Sequence, residues 1–269
     1  MKIVTDKNKL IRLAHKEKDL GFVPTMGGIH KGHISLINRS INESKKTIVS
    51  IYINKPQFNK KKDFKSYPRN LANDLAILSK YKIDYLYLPK TKQIYPNGIN
   101  RKIKISSFGK KLCGKFRPKH FEAITDVIDR FIKIIKPKRI YMGEKDMQQL
   151  KIVEDFVKKN FQKTKVVGCK TIREKNGVAY SSRNFLLNSN QKNVASNVYN
   201  FLKNNKKNLI KNKYLLKNYR KKIEKIGINK IDYLEILDIN KLIKPFKRKK
   251  ILRIFIAYYI GSTRLIDNI

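Results

Sequence analysis

His30 and His33 stand three residues apart in the string GFVPTMGGIHKGHISL, residues 21–36. At 3.6 residues per turn, two imidazoles at that spacing project from one side of a helix. Gly32 leaves bare backbone between them, while Gly27 and Gly28 let the preceding chain turn and approach a ligand closely. A helix N-terminus carries unpaired amide donors and the positive end of a dipole, so imidazoles added there build a site for nucleotide phosphates. Two such histidines also suit a metal or a solvated helix face, and the pair alone leaves those readings open. Lys145, in GEKDMQQL, adds a compact cation with the reach for phosphate. Ser181, Ser182 and Arg183 offer two hydroxyls and a guanidinium fork suited to phosphate oxygens.

The elements that must position these groups alternate between strands and helices. Phe22 and Val23 form a short apolar strand in which Pro24 is expected to end pairing, and Ile34, Ile37 and Ile41 line one side of the helix that follows. Residues 47–53, TIVSIYI, are β-branched and uncharged, as in a buried strand of a parallel sheet. That strand runs into NKPQF, which puts Asn54 and Gln57 beyond its carboxyl end, where ligands collect in open α/β sheets. A helix with Leu71, Leu75 and Leu78 on one face comes next, followed by a strand from Ile83 and a helix carrying Ile124, Ile128, Ile132 and Ile135. Strands are expected at residues 139–142 and 165–169, and a turn at Asn176-Gly177. From Asn188 the composition changes to helices rich in lysine and asparagine, near residues 189–208 and 213–226, then two strands and a terminal GSTRLIDN. The pattern predicts an α/β fold: a Rossmann-like parallel-sheet domain over residues 1–184, and a smaller α+β domain over residues 185–269 that serves as a lid.

Composition bounds the function. The 269 residues suit one large domain or two, and 41% hydrophobic residues imply a folded core. The densest apolar run, residues 251–260, is broken by Arg253 and falls short of the roughly 18 residues of a membrane span. The first twenty residues lack the apolar segment of a secretory signal, so a cytoplasmic location is expected and no membrane partner. Cys113 and Cys169 are far apart without metal-ligand spacing, which suggests two free thiols. The formal charge of +43 raises the question of nucleic acid. The excess is spread over helices and termini alongside abundant Asn, Ile and Tyr, as a lysine-biased composition would produce, and no specific nucleic-acid partner is expected.

The string PTMGGIHKGH resembles the signature of HIGH-type adenylate-forming nucleotidyltransferases, and most closely that of the pantoate–β-alanine ligase (pantothenate synthetase) family. GEKDMQQL matches the family's G-E-K-D-x-Q-Q-L throughout, TIREKNGVAYSSRN resembles its R-E-x-D-G-L-A-x-S-S-R-N, and the ending resembles its G-x-x-R-L-I-D-N. LCGKFRPKHFEAITDVI resembles L-x-G-x-x-R-P-G-H-F-x-G-V-x-T-V-V, with Lys119 and Asp126 where the pattern has glycine and threonine, and with Arg117 and His120 placed by the resemblance near the active site and dimer interface. NKPQF departs from N-P-x-Q-F, its proline falling one place later at Pro56.

The resemblance implies ligation of pantoate to β-alanine with ATP. The pantoate carboxylate attacks the α-phosphorus to give pantoyl adenylate and pyrophosphate, and the amine of β-alanine then displaces AMP. It implies ATP contacts from Met26, Gly27, Gly28, Ile29, His30, Lys31, Gly32 and His33, from Gly143, Glu144, Lys145 and Asp146, and from Ile172, Tyr180, Ser181, Ser182 and Arg183. Of these, His33, His30, Lys145 and Arg183 are the implied catalytic groups, with His33 the principal one. Gln57 and Gln149 are the implied substrate contacts, Asp74 is an implied contact for Mg2+, and the assembly is an implied homodimer. Two rivals are a related nucleotidyltransferase such as a cytidylyltransferase, against which Gln57 and Gln149 argue, and an RNA-binding protein, for which charge is the only support.

Overall fold

The β-branched run after Lys46 and the apolar run after Leu20 pair in parallel and make the centre of a sheet. The computed structural model describes residues 1–246 and 248–269. Its strands are β1 (Lys2–Val4), β2 (Leu20–Thr25), β3 (Lys46–Ile51), β4 (Tyr85–Tyr87), β5 (Arg139–Gly143), β6 (Lys165–Cys169), β7 (Lys230–Asp238), β8 (Leu252–Ile260) and β9 (Thr263–Asn268). The helices are α1 (Lys7–Ala14), α2 (Lys31–Glu43), α3 (Lys61–Lys65), α4 (Leu71–Leu78), α5 (Thr91–Ile94), α6 (Cys113–Phe116), α7 (His120–Ile135), α8 (Met147–Asn160), α9 (Ser189–Lys211) and α10 (Leu216–Glu224).

Among the described residues, strands β1 to β6 form one parallel sheet in the order β1-β4-β3-β2-β5-β6. The chain winds outward from β2 to β3 and β4, then returns to the other side of β2 for β5 and β6. The switch point therefore lies between β2 and β5, and the loops leaving their carboxyl ends open where ligands bind in such sheets. Those loops are the glycine-histidine signature and GEKD. Pro24 ends pairing on one side only: the ladder to β5 stops at Phe22, while the ladder to β3 continues to Thr25. The edge strand β1 gave no signal in the sequence, since three residues are too few for a period to show.

The sheet is closed by a core in which Val23, Val49, Leu86 and Tyr141 meet Ile37 and Leu78 from the helical layer and Ile29 from the signature loop. Leu78 is fully buried, but Leu71, expected on the same apolar face of α4, is exposed in the first turn of the helix. Helix α7 is buried almost all round and includes Asp126 and Asp129, each held by a basic residue four places on, Arg130 and Lys133. Its N-cap, Lys119, adopts the left-handed conformation at φ 61°, where the family pattern has glycine. An L-residue there is strained by roughly 1–2 kcal/mol, partly offset because glycine would also loosen the unfolded chain. Lys119→Gly is therefore expected to raise stability by up to about 1 kcal/mol in urea titration; a loss of stability would show that the lysine side chain holds something in place.

The chain divides into two compact units, Met1–Glu144 with Gln148–Lys170, and Lys145–Met147 with Thr171–Ile269. The composition changes near residue 188, but residues 171–184 pack with the second unit. The reason is Arg173, whose guanidinium makes a bidentate pair with Asp267 at 2.6 and 3.0 Å and lies 4.3 Å above the ring of Tyr199. The second unit has an antiparallel sheet β7-β8-β9 covered by apolar residues of α9 and α10, including Leu202, Leu209 and Ile223. The terminal GSTRLIDN is its third strand rather than a tail.

Candidate active site

The signature loop is held by its own neighbours before any ligand is considered. Thr25 Oγ1 donates to the Ser50 carbonyl at 2.7 Å and accepts from the Gly27 amide at 3.2 Å, so the loop's first turn is tied to β3. Gly27 and Gly28 follow at φ 79° and 62°, a left-handed pair that glycine adopts without strain. A Cβ at Gly27 would lie 2.7 Å from Asp74 Oδ2, so this position needs glycine for space as well as for conformation. Asp74, 2% exposed on α4, accepts from the Gly28 amide through Oδ2 at 2.9 Å and from the Ile29 amide through Oδ1 at 2.7 Å. The resemblance implies magnesium for this carboxylate; the structure instead spends both its oxygens on loop amides. Among the described residues no group of three His, Cys, Asp or Glu stands together as a metal site. Asp74 is thus first a loop-holding carboxylate, with one lone pair left on each oxygen.

Past the glycines, Ile29 is buried as an anchor and His30 becomes the extended N-cap of α2. The rings of His30 and His33 stack, with centroids 4.0 Å apart and planes 24° from parallel. Three-residue spacing across a helix start thus brings both imidazoles together beside the first-turn amides of Lys31, Gly32 and His33, the donor-rich end of the helix.

Beyond β3, residues 55–57 make a single 3-10 turn with Pro56 near its start. Asn54 is 1% exposed and pinned on three sides: its Nδ2 donates to the Ala123 carbonyl and to Gln57 Oε1, both at 3.1 Å, and its Oδ1 accepts from the Tyr95 hydroxyl at 2.8 Å. Gln57 Nε2 lies 3.0 Å from Met26 Sδ, so the amide faces the residue that precedes Gly27. The Gln57 backbone carbonyl is clamped by His120 Nδ1 at 2.8 Å and Arg117 Nη2 at 3.1 Å, and Arg117 Nη1 meets His120 Nε2 at 2.9 Å. A carbonyl only accepts, so Nδ1 of His120 carries the hydrogen and Nε2 takes the guanidinium N–H. Arg117 and His120 thus set the main chain of the Gln57 turn.

At the end of β5, Gly143 leads into a 3-10 turn Glu144–Asp146, and α8 starts at Met147. Gln149 is half-buried on α8. Its neighbour Gln148 points elsewhere: Nε2 donates to the carbonyls of Phe108 and Lys111, and Oε1 accepts from the Cys113 amide, so it fixes the loop ahead of α6.

In the second unit, Lys145 Nζ lies 3.3 Å from Asp146 Oδ1, and the Lys145 carbonyl accepts from Asn268 Nδ2 at 2.8 Å. Arg173 and Ala179 bridge across a turn whose Gly177 sits at φ 89°, which bears out the Asn-Gly signal. Beyond it, the Tyr180 amide donates to the Ile172 carbonyl at 3.1 Å, Ser181 caps the 3-10 turn Ser182–Leu186 by accepting from the Arg183 amide, Ser182 is buried, and Arg183 Nη1 donates to the Arg264 carbonyl at 2.9 Å. Sequence reasoning gave no role to Asp267 or Asn268, yet they hold Arg173 and Lys145. Their place in the terminal motif was the one available signal.

The family model for pantoate-beta-alanine ligase matches residues 2–269. This chain belongs to the pantoate–β-alanine ligase family. Among its relatives, the pantothenate synthetase of Pseudothermotoga lettingae is 36% identical over 278 residues, covering 100% of this chain and 97% of that protein. The crystal structure of pantoate-beta-alanine ligase from Francisella tularensis, complexed with beta-gamma ATP and beta-alanine, is 35% identical with a TM-score of 0.88 and covers 100% of this chain and 97% of that one. The pantothenate synthetase structure from Thermus thermophilus is 30% identical with a TM-score of 0.90, covering 100% of this chain and 99% of that one. Within the pantoate–β-alanine ligase frame, the two departures near the Gln57 turn acquire structural meaning. Pro56 is the second residue of the 3-10 turn that carries Gln57, and Asp126 is the buried partner of Arg130, with a 2.7 Å contact to its Nε and a 3.0 Å bond from the Asn100 amide.

Proposed function

We infer that this chain condenses pantoate with β-alanine, using ATP and forming pantothenate, AMP and pyrophosphate by way of pantoyl adenylate. The observation that carries the mechanism is the signature loop: two glycines in left-handed conformation lead from β2 into α2, whose N-terminus bears a stacked pair of histidines beside the sheet's switch point. A carboxylate must attack a polyanion, so the reaction needs donors and positive charge already fixed where the pentacoordinate phosphorus develops. His30, His33 and the first amides of α2 supply such donors, and the family resemblance assigns Lys145, Ser182 and Arg183 to the nucleotide. Gln57 and Gln149 are assigned to pantoate, whose oxygens suit amide partners. Magnesium enters this reading as a counter-ion carried on the phosphates of ATP, and no step is routed through a protein-held metal.

The order of steps is tested by isotope exchange. Labelled pyrophosphate is expected to enter ATP when pantoate is present and β-alanine is absent, since the mixed anhydride forms before the amine attacks. Exchange that required β-alanine would reject the adenylate route. A homodimer in the cytoplasm belongs to the same proposal, and sedimentation of the purified chain tests the dimer.

A further inference from the structure

Asn54 and Gln57 carry terminal amides, and an amide can present either its oxygen or its NH2 to a ligand. Their hydrogen-bond partners decide which. The Ala123 carbonyl can only accept, so the group of Asn54 that faces it at 3.1 Å is Nδ2. Oδ1 of Asn54 then faces the Tyr95 hydroxyl at 2.8 Å, which makes the phenol the donor. The second hydrogen of Asn54 Nδ2 goes to Gln57, so the atom of Gln57 that faces it at 3.1 Å is Oε1. Gln57 is left with its NH2 turned toward Met26 and the signature loop. Polarity is thus relayed from a helix carbonyl and a phenol through one buried amide to a second.

We propose that Tyr95 is a positioning residue for substrate specificity, which locks this relay so that Gln57 presents a hydrogen-bond donor to an oxygen of the carboxylic-acid substrate. Tyr95 is itself fixed for the task. The Arg130 guanidinium lies 4.4 Å over its ring and donates to the carbonyls of Ile94 and Gly98 at 2.8 and 2.9 Å, on both sides of the tyrosine in the chain. Asp126, 1% exposed, holds Arg130 from below. Asn54 and Tyr95 are both buried, so the relay is shielded from water that would otherwise compete for each bond. Burial also holds the Tyr95 hydroxyl well above its ordinary pKa, which keeps it protonated as a donor at all working pH values. A substrate that offers an oxygen acceptor satisfies Gln57 Nε2, and one that offers only a donor there leaves two hydrogens face to face.

The inference rests on the assignment of Gln57 to pantoate, and the experiment separates the two. Steady-state KM for pantoate, KM for ATP and kcat are measured for Tyr95→Phe, Gln57→Ala and Gln57→Glu, each with a thermal melt. Tyr95→Phe is expected to raise KM for pantoate about five- to tenfold, the size of one neutral hydrogen bond, with KM for ATP and kcat within about twofold of the parent. Gln57→Glu keeps an oxygen for Asn54 but turns a second, anionic oxygen toward the substrate, and is expected to raise KM for pantoate further than Gln57→Ala does. Unchanged KM for pantoate in Tyr95→Phe, a parallel rise for both substrates, or Gln57→Glu no worse than Gln57→Ala would overturn the relay while leaving Gln57 at the pantoate site. Gln57→Ala with parental KM for pantoate would remove Gln57 from that site and overturn the relay's role in specificity with it.

Discussion

His33→Ala is expected to lower the rate of adenylate formation by about 10²- to 10³-fold, the loss of about 3–4 kcal/mol that follows removal of one charge-stabilising donor. The imidazole sits in the first turn of α2, stacked on His30 at 4.0 Å, where it adds a donor to a helix end that already attracts anions. The demand for that donor is greatest as charge builds on the phosphorus, so the effect belongs in turnover more than in ATP affinity. Alanine is the best helix former, and His33 is only half-buried, so α2 is expected to survive the change. Single-turnover formation of the adenylate, with circular dichroism as a control, checks this. Near-normal turnover would return both histidines to the role of a solvated helix face.

Asp74→Ala is expected to cost both stability and activity, because two functions meet in one buried carboxylate. It accepts from the Gly28 and Ile29 amides at 2.9 and 2.7 Å, and its removal strands two buried donors at about 1–3 kcal/mol each. Those amides belong to the loop that aims α2, so turnover should fall as well, by about 10²-fold if the loop moves by an ångström. Asp74→Asn offers one oxygen and one NH2 to two amide hydrogens, and should lose much of the same stability. The discriminating measurement is a magnesium titration of the variants: a carboxylate that holds a loop leaves a defect that excess magnesium does not relieve. Recovery of activity at high magnesium would make Asp74 a metal ligand after all.

Much of the site was legible because its chemistry is local. The glycine pair before His30 and His33, the β-branched run 47–53, of which residues 47–51 lie in β3, and the Asn176-Gly177 turn each carry their conformation in adjacent residues. Periodicity likewise placed α7 and the helix after the signature, since a buried stripe recurs every three to four residues.

Pairing across long stretches of chain was not legible. Buried polar groups must find partners, but sequence does not say which. Asp74 is 46 residues from Gly28, Tyr95 is 41 from Asn54, and Asn268 is 123 from Lys145. The compact units divide at Lys170 and Thr171 and not at the composition change near residue 188, because Arg173 binds Asp267. The amino-acid sequence by itself determined the longer elements, the donor-rich helix start and the family, all of which follow from neighbouring residues. Only the tertiary structure decided that Asp74 serves the loop, that Gln148 serves the loop ahead of α6, and that Gln57 turns its NH2 toward Met26. Hydrogen-bond direction is settled by whichever carbonyl or hydroxyl the folded chain brings within hydrogen-bonding reach.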